Sequence, residues 1–474
     1  MSHRLQAAFA LSLILAVTGC ATYPANPRLA QYNPNSGYRY ENLKAPENSE
    51  SLFVILTFSG GGTRAAALSY GVMEKLRNTT IQWEGKERRL LDEVDVISSV
   101  SGGSFTAAYY GLFREELFEP EKFQKVFLYR NIEGELIASL INPINWLRLA
   151  SPTFGRIEVA AEFYDREIFR EKTFGDLIDQ ARRPYIMLNA TDITMGARFS
   201  FVQDQFDLIC SDLGGVHVSR AVAASSNFPI AFTPLTVNNY AGSCDYREPD
   251  WMEQASTDLL VNPPRFTRAR IARSYLNSEE RKYVHLLDGG VSDNIGLRGQ
   301  LLAIRSNDLS WSLMNKINLK AIKKLVLIVV DARTDPKTEI DKSPGSPGLG
   351  TLIDIVSSVP MSNYSFDTVQ QLLDTFDYWQ KDEAAYATCK GILQDQCPAG
   401  KMPTRPPNMA EAFAVYVGFD QIRDVKERQN FLNLPTTFAL PREEVDKLRK
   451  IGPQLLDQSE GFQKLCAELG CREK

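Results

Sequence analysis

Histidine is nearly missing from this sequence, with 3 among 474 residues. His3 falls in the first few residues, so only His217 and His285 remain for chemistry. That excludes a histidine-built zinc site and leaves a serine hydrolase few choices of imidazole base. Excess positive charge is missing too: 53 Lys and Arg against 58 Asp and Glu give a formal net charge of -5, and no run of Lys and Arg forms a basic patch. Nucleic acid is therefore not an expected partner. The carboxylates do not cluster at the spacing of a calcium loop, so no metal and no cofactor is expected. No internal repeat is present.

What is there describes an ordinary folded chain of enzyme size, 44% hydrophobic and 23% charged. The first residues give an address. Arg4 supplies a positive start, Ala7 to Val17 an apolar stretch, and Thr18-Gly19 the small residues before Cys20. This is a secretory signal, too short to span a membrane. Val17-Thr18-Gly19-Cys20 resembles the bacterial lipoprotein signal, in which the cysteine becomes the lipid-modified first residue. A plain signal peptide with an incidental cysteine is the alternative. Ala21 in place of an aspartate favours, by the same resemblance, the outer membrane over the inner.

Six further cysteines permit disulfides in an exported protein. Cys389-Cys397 and Cys466-Cys471 are the simplest local pairs, leaving Cys210-Cys244. Zinc at Cys389 and Cys397 is disfavoured, because no histidine lies near either.

Three apolar runs of strand length end in turns that carry chemistry. Leu52 to Phe58 runs into Ser59-Gly60-Gly61-Gly62-Thr63-Arg64 and then a helical pattern from Ala65 to Leu76. Such a turn can aim several backbone N–H groups at an anion. It lacks the Gly-Lys-Ser/Thr of a phosphate loop and fits a dinucleotide fingerprint poorly. An oxyanion hole is the functional reading, and a structural turn the plain one. Asp95 to Val100 leads into Ser101-Gly102-Gly103-Ser104, a strand, a sharp turn and a helix start. A serine there stands beside free helical N–H groups and the positive helix end, which suits a nucleophile. Ser99 stands where the G-x-S-x-G pattern has its first glycine. Tyr283 to Leu287 ends in Asp288-Gly289-Gly290. An aspartate at its ordinary pKa of about 3.9 is ionised but a weak base, and burial would improve it. His217 and His285 read as structural residues.

The order Gly-Gly-Gly-Thr-Arg, Ser-Val-Ser-Gly-Gly and Asp-Gly-Gly, with the stretches Asn189 to Gly196 and Ser219 to Pro229, resembles the patatin-like phospholipase family over roughly Leu52 to Asp331. The resemblance implies Ser101 as nucleophile and Asp288 as general base in a dyad without histidine. It implies an oxyanion hole at Gly60, Gly61, Gly62 and Arg64, with Arg64 at the family's basic position after the glycines. The fold expected is α/β, a patatin-like three-layer sandwich with a mostly parallel central sheet, plus a largely helical C-terminal region.

The expected organisation is a lipoprotein signal peptide over 1–19, a tether rich in Pro, Asn and Tyr over 20–50, the catalytic domain over 51–340, and a mostly helical C-terminal region over 341–474 packed on it. The helical stretch from Glu115 to about Asp179 is expected as core, with lid or lipid contact as the alternative for part of it. Gly242 to about Asn277 reads as a polar excursion. The function expected is a serine acyl hydrolase cleaving lipid esters through an acyl-enzyme, anchored to the bacterial outer membrane, with membrane lipid as both substrate and anchor. The alternatives are an esterase on non-phospholipid esters and a non-catalytic lipoprotein using the fold for binding or assembly.

Overall fold

Every residue of strand β1, Leu52–Phe58, is buried, as a strand covered on both faces requires. In the computed structural model, which describes residues 21–228, 232–305, 316–317, 321–335, 341–342, 344–396 and 410–473, β1 sits near the middle of an eight-stranded sheet. The expected signal peptide and Cys20 lie outside the described residues.

After β1 come helix α1 (Gly62–Asn78), strands β2 (Thr79–Trp83) and β3 (Lys86–Arg89), strand β4 (Val94–Val100) and helix α2 (Gly102–Phe113). Helices α3 (Ile132–Ile141) and α4 (Pro143–Leu149) form an outlying pair. Strands β5 (Tyr185–Asp192) and β6 (Ala197–Ser200) follow, then helix α5 (Val218–Ser225) and strand β7 (Leu235–Asn238). Helix α6 (Pro263–Leu276), strand β8 (Tyr283–Asp288), the short helix α7 (Gly290–Asp293), helix α8 (Arg298–Arg305) and strand β9 (Lys324–Asp331) come next. The chain closes with the 48-residue helix α9 (Leu349–Gln396), strand β10 (Glu411–Gly418), helices α10 (Arg442–Gln458) and α11 (Glu460–Leu469), and strand β11 (Arg472–Glu473).

The large sheet runs β10-β9-β1-β4-β5-β8-β7, with β6 also paired to β5, and β11-β2-β3 form a small separate sheet. From β10 to β5 every pairing is parallel; β5 pairs antiparallel with β6 and β8, and β7 with β8. The fold is thus α/β with a mostly parallel sheet. Strand β8 departs from the βαβ pattern and approaches the site from the opposite direction to the parallel strands.

Three further expectations are corrected. Residues 21–50 are not a free tether: Tyr38, Tyr40 and Leu43 are buried in the core. Arg39 pairs with Asp204 at 2.8 Å and Asp207 at 2.6 Å. Tyr38, one of the aromatic residues that gave this segment its linker-like composition, packs edge-on against Phe174 and tilted against Tyr185, and Tyr40 meets Tyr185 edge-on. The stretch from Gly242 to Asn277 contains α6, started by Asn262, whose side chain accepts the Arg265 N–H, and by prolines in its first turn. Cys389 is an exposed free thiol within α9. The helix continues to Gln396. Cys397 itself lies outside the described residues. Disulfides join Cys210 to Cys244 and Cys466 to Cys471.

The sheet does not stop at residue 340. Strand β10 adds to its edge beside β9, and α10 packs along α1. The C-terminal region is therefore part of the same core.

Candidate active site

Strand register explains why Ser101 and Asp288 meet. Val100, the last residue of β4, is paired with Asn189, and the next residue of β5, Ala190, is paired with Asp288. The serine turn and the aspartate therefore flank β5 from its two sides at one level. Both side chains are buried, Ser101 7% exposed and Asp288 5%.

The Ser101 backbone is strained, with φ 49 and ψ -120, a region costly for a residue bearing a Cβ. The surrounding network holds it there. Its N–H donates to Ser225 Oγ at 2.9 Å, and that hydroxyl donates to the Asn189 carbonyl at 2.6 Å. Ser104 Oγ lies 2.9 Å from Ser225 Oγ and donates to Ser99 Oγ at 3.2 Å. The serine in the elbow's first-glycine position is thus accommodated as a hydrogen-bonding member of the turn. Asn189 Nδ2 in turn donates to Ser98 Oγ and to the Ser99 carbonyl, both at 3.0 Å.

Asp288 is fixed at its backbone by the Asn227 carbonyl, which accepts its N–H at 3.0 Å, and by Thr191 Oγ1, which donates to its carbonyl at 2.8 Å. Burial pushes its carboxyl up to about 6, opposed by the Gly290 N–H and, to a smaller extent, by the nearby Ser101 hydroxyl. The Gly290 N–H donates to Oδ1 at 2.8 Å. Helix α9 crosses this turn: a Cβ on Gly290 would meet Met361 Sδ at 3.1 Å.

The glycine turn packs directly on the serine turn, and a Cβ on Gly60 would lie 3.3 Å from Ser101 Cβ. Its amides are not equivalent. The Gly60 N–H donates to the Asn294 carbonyl at 2.9 Å, so Gly60, expected in the oxyanion hole, has its donor engaged. The Thr63 N–H donates to the Thr437 carbonyl at 2.9 Å. Gly62 opens α1, where amides have no intrahelical acceptor, and Gly61 adopts φ 133, which glycine tolerates. Among the described residues, the amides of Gly61 and Gly62 have no acceptor, and they lie where the positive ends of α1 and α2 converge.

Arg64 corrects the sequence reading as well. Its Nε donates to the Ala332 carbonyl at 2.8 Å, Nη1 to the Leu434 carbonyl at 2.6 Å and Nη2 to Thr436 Oγ1 at 3.1 Å. All three point into the C-terminal framework. Burial lowers its pKa to about 10, with Asp331 opposing. Arg64 is a positioning residue that ties the glycine turn to β9 and to residues 434–437.

The histidines stand elsewhere. His217 precedes α5 and pairs with Asp165 at 3.0 Å, with the length of the helix, roughly 12 Å, between it and Ser225. His285 contacts Thr236 Oγ1 at 3.1 Å on an exposed face of β8. Among the described residues no group of three or more His, Cys, Asp or Glu could hold a metal ion, and no helix is long and apolar enough to cross a membrane.

The sequence reading assigned no role to Ser225, Asn189, Asn294 or the 434–437 segment. The first two lie in stretches that carry the family resemblance, which was the available signal. Nothing local marks the other two, since their roles rest on backbone carbonyls and, in the 434–437 segment, on the Thr436 hydroxyl as well.

A family model described as Patatin-like phospholipase matches residues 56–299. Among solved structures, human GIVD cytosolic phospholipase A2 is similar at 10% identity and TM-score 0.38, covering 89% of this chain and 62% of that one. Its complex with methyl gamma-linolenyl fluorophosphonate and terbium chloride gives 12% identity and TM-score 0.37, covering 89% and 60%. VipD from Legionella pneumophila gives 12% identity and TM-score 0.29, covering 92% and 71%. The chain spans about three fifths of the length of the human phospholipase structures it matches. No curated protein matches it.

Proposed function

Because the chain belongs to the patatin-like phospholipase family, we propose that it is a lipid acyl hydrolase working through Ser101 and Asp288. The observation that carries this reading is the buried Asp288 carboxyl, raised to about 6 and set level with the Ser101 turn across β5. At neutral pH such a group is mostly ionised, yet a far better base than an exposed aspartate.

In the proposed reaction Asp288 takes the hydroxyl proton as Ser101 Oγ attacks the ester carbonyl. The oxygen that becomes negative is stabilised by the Gly61 and Gly62 N–H groups, with no donor needed from Arg64. Collapse expels the alcohol, which receives the proton from Asp288, and leaves an acyl-Ser101 ester. Water then gives a proton to Asp288, attacks the acyl carbon, and releases the fatty acid as Ser101 recovers its proton.

The proposed setting is a membrane surface, with Cys20 as the lipidated anchor. The described chain begins pinned to the domain: the Ala21 carbonyl accepts a hydrogen bond from Ser151 Oγ at 2.6 Å, and the Tyr23 N–H donates to the Thr153 carbonyl at 3.0 Å. Ser151 lies two residues beyond the end of α4. On α4, Ile144 and Trp146 are 70% and 71% exposed, and on α3 Ile137 and Ile141 are 55% and 74% exposed. An apolar corner beside the anchored end of the chain supports contact with lipid.

The test is fatty-acid release from a phospholipid panel by wild type, Ser101→Ala and Asp288→Asn. Loss in both variants, with folding retained, supports the dyad. Release undiminished in either one overturns it.

A further inference from the structure

A cavity of about 610 Å³ is walled by β6, α6, α7 and α8 and reaches Tyr185 and Met187 of β5 and Ile55 of β1. Neither Ser101, Asp288 nor the glycine turn lines it. Its volume lies within the roughly 300–1,000 Å³ of small-molecule sites.

Two guanidinium groups reach into this cavity with their charges poorly answered. Arg198 Nη1 is buried with no hydrogen-bond partner. Arg268 places both Nη atoms 3.4 Å from Gln205 Oε1, a neutral acceptor shared between them. Among the described residues neither arginine forms an ion pair with a carboxylate. The nearby acids are engaged elsewhere: Asp204 and Asp207 pair with Arg39, Asp204 also with Lys316, and Asp293 accepts the Arg298 N–H at 2.9 Å. Asp293 attracts Arg198 at longer range, while Arg268 repels it. Burial lowers the pKa of both arginines. Partly buried like charges facing one cavity are unfavourable unless an anion joins them. The fold makes room for this arrangement, since a Cβ on Gly299 would lie 2.1 Å from Arg198 Cζ.

The rest of the lining is apolar and adaptable, with Met187, Met195, Met252, Trp251 and Ile271. We propose that this cavity is a second binding site for a single-chain amphipathic anion, its carboxylate or phosphate head held between Arg198 and Arg268 and its aliphatic chain laid against the methionines and Trp251. Both head groups suit the planar donor fork of arginine. The proposal does not depend on the catalytic reading.

The test is quenching of Trp251 fluorescence by 12-bromododecanoate in the full chain, kept soluble by a non-ionic detergent below its micelle concentration. Saturable quenching is expected, lost in Trp251→Phe and unchanged in Ser101→Ala. Arg198→Met and Arg268→Met should each weaken it by at least about tenfold, the value of a charge-assisted hydrogen bond lost. Thr267→Phe, on the exposed side of α6 where it lines the cavity, should block binding without removing a charge and without threatening the fold. Competition by dodecanoate and by dodecyl phosphate separates the two head groups, with dodecanol and inorganic phosphate as weak competitors. Quenching that is absent, that survives Trp251→Phe, or that is equal in the arginine and Thr267→Phe variants overturns the site. Competition by dodecanol as strong as by dodecyl phosphate overturns its anionic character.

Discussion

The Gly60 N–H donates to the Asn294 carbonyl at 2.9 Å. This bond joins the turn after β1 to the end of α7, the short helix that follows β8, so the glycine loop and the aspartate loop are one unit although more than two hundred residues separate them. The serine turn lies between them, bonded through Ser225 to the end of α5. A site of this kind has its geometry set before substrate arrives, which is what stabilising a short-lived oxyanion requires.

Removing either member of the proposed dyad should leave a folded protein with little activity. Ser101→Ala should reduce fatty-acid release to background. Asp288→Asn should lower kcat/KM by about 10²- to 10⁴-fold, the usual worth of a positioned base. Thermal melts alongside the assays separate lost chemistry from lost fold. An Asp288→Asn variant within tenfold of wild type would assign the base elsewhere.

The raised Asp288 carboxyl fixes a pH profile. The base works ionised, so kcat/KM should be flat above neutrality and fall about tenfold per unit below the midpoint near 6. The linkage to stability has the opposite sense. A carboxyl whose folded pKa lies above its unfolded value favours folding at acid pH, and that contribution is lost as pH rises through about 6. Activity on a soluble ester, followed from pH 4.5 to 8.5 with stability measured in parallel, checks both. A midpoint near 4 would show a carboxyl without the burial seen here.

Arg64 should act through the framework. Arg64→Ala leaves the Ala332 and Leu434 carbonyls without their donor in a buried place, a destabilisation of about 2–4 kcal/mol. Arg64→Lys should rescue little, because one ammonium cannot reproduce the three-point fork. If Arg64 touched the oxyanion, the loss would fall on kcat with stability unchanged. The expectation is a lowered unfolding midpoint together with lowered kcat.

Much of this site could be read from the sequence because each chemical residue ends an apolar strand and is followed by glycine. Ser101 and Asp288 are local signals in that sense. The direction of β8 is not, since an apolar run of six residues carries no sign of whether its partner runs parallel or antiparallel. Gly60 and Arg64 were assigned to the oxyanion by their place in a motif. Their real partners, Asn294, Ala332 and Leu434, offer main-chain carbonyls that any residue would supply. Tyr38 and Tyr40 looked like linker because aromatic residues among Pro and Asn give no periodicity, yet tertiary burial claimed them.

The exposed corner at α3 and α4 should separate binding from chemistry. Replacing Ile144 and Trp146 together by serine removes two large apolar side chains from the face beside Ala21. The expected loss is about 2 kcal/mol of surface attachment, roughly thirtyfold in partition to vesicles. Turnover of a soluble ester should be unaffected, since neither residue belongs to the Ser101 and Asp288 surroundings. Vesicle co-sedimentation and the two assays, run on a chain carrying Cys20→Ser so that acylation does not mask the effect, give the comparison. Equal activity and equal co-sedimentation on vesicles would remove this corner from the membrane.

The closest approach in the site gives the sharpest structural test. A Cβ on Gly102 would lie 2.0 Å from the Gly62 carbonyl oxygen and 2.7 Å from its nitrogen. No rotamer relieves this, because the obstacle is backbone and the added atom is a Cβ. Gly102→Ala must therefore push α1 away from α2, moving the Gly62 amide from Ser101 by a large part of an ångström. Loss of one oxyanion donor costs about 10²- to 10³-fold in kcat. The same substitution at Gly85, where a Cβ meets nothing within 4 Å, tests glycine's backbone freedom alone at φ 76 and should leave kcat unchanged. If Gly102→Ala folds and keeps full kcat, the Gly62 amide does not hold the oxyanion. Large loss in Gly102→Ala with KM little changed is the result expected of a donor that works only in the transition state.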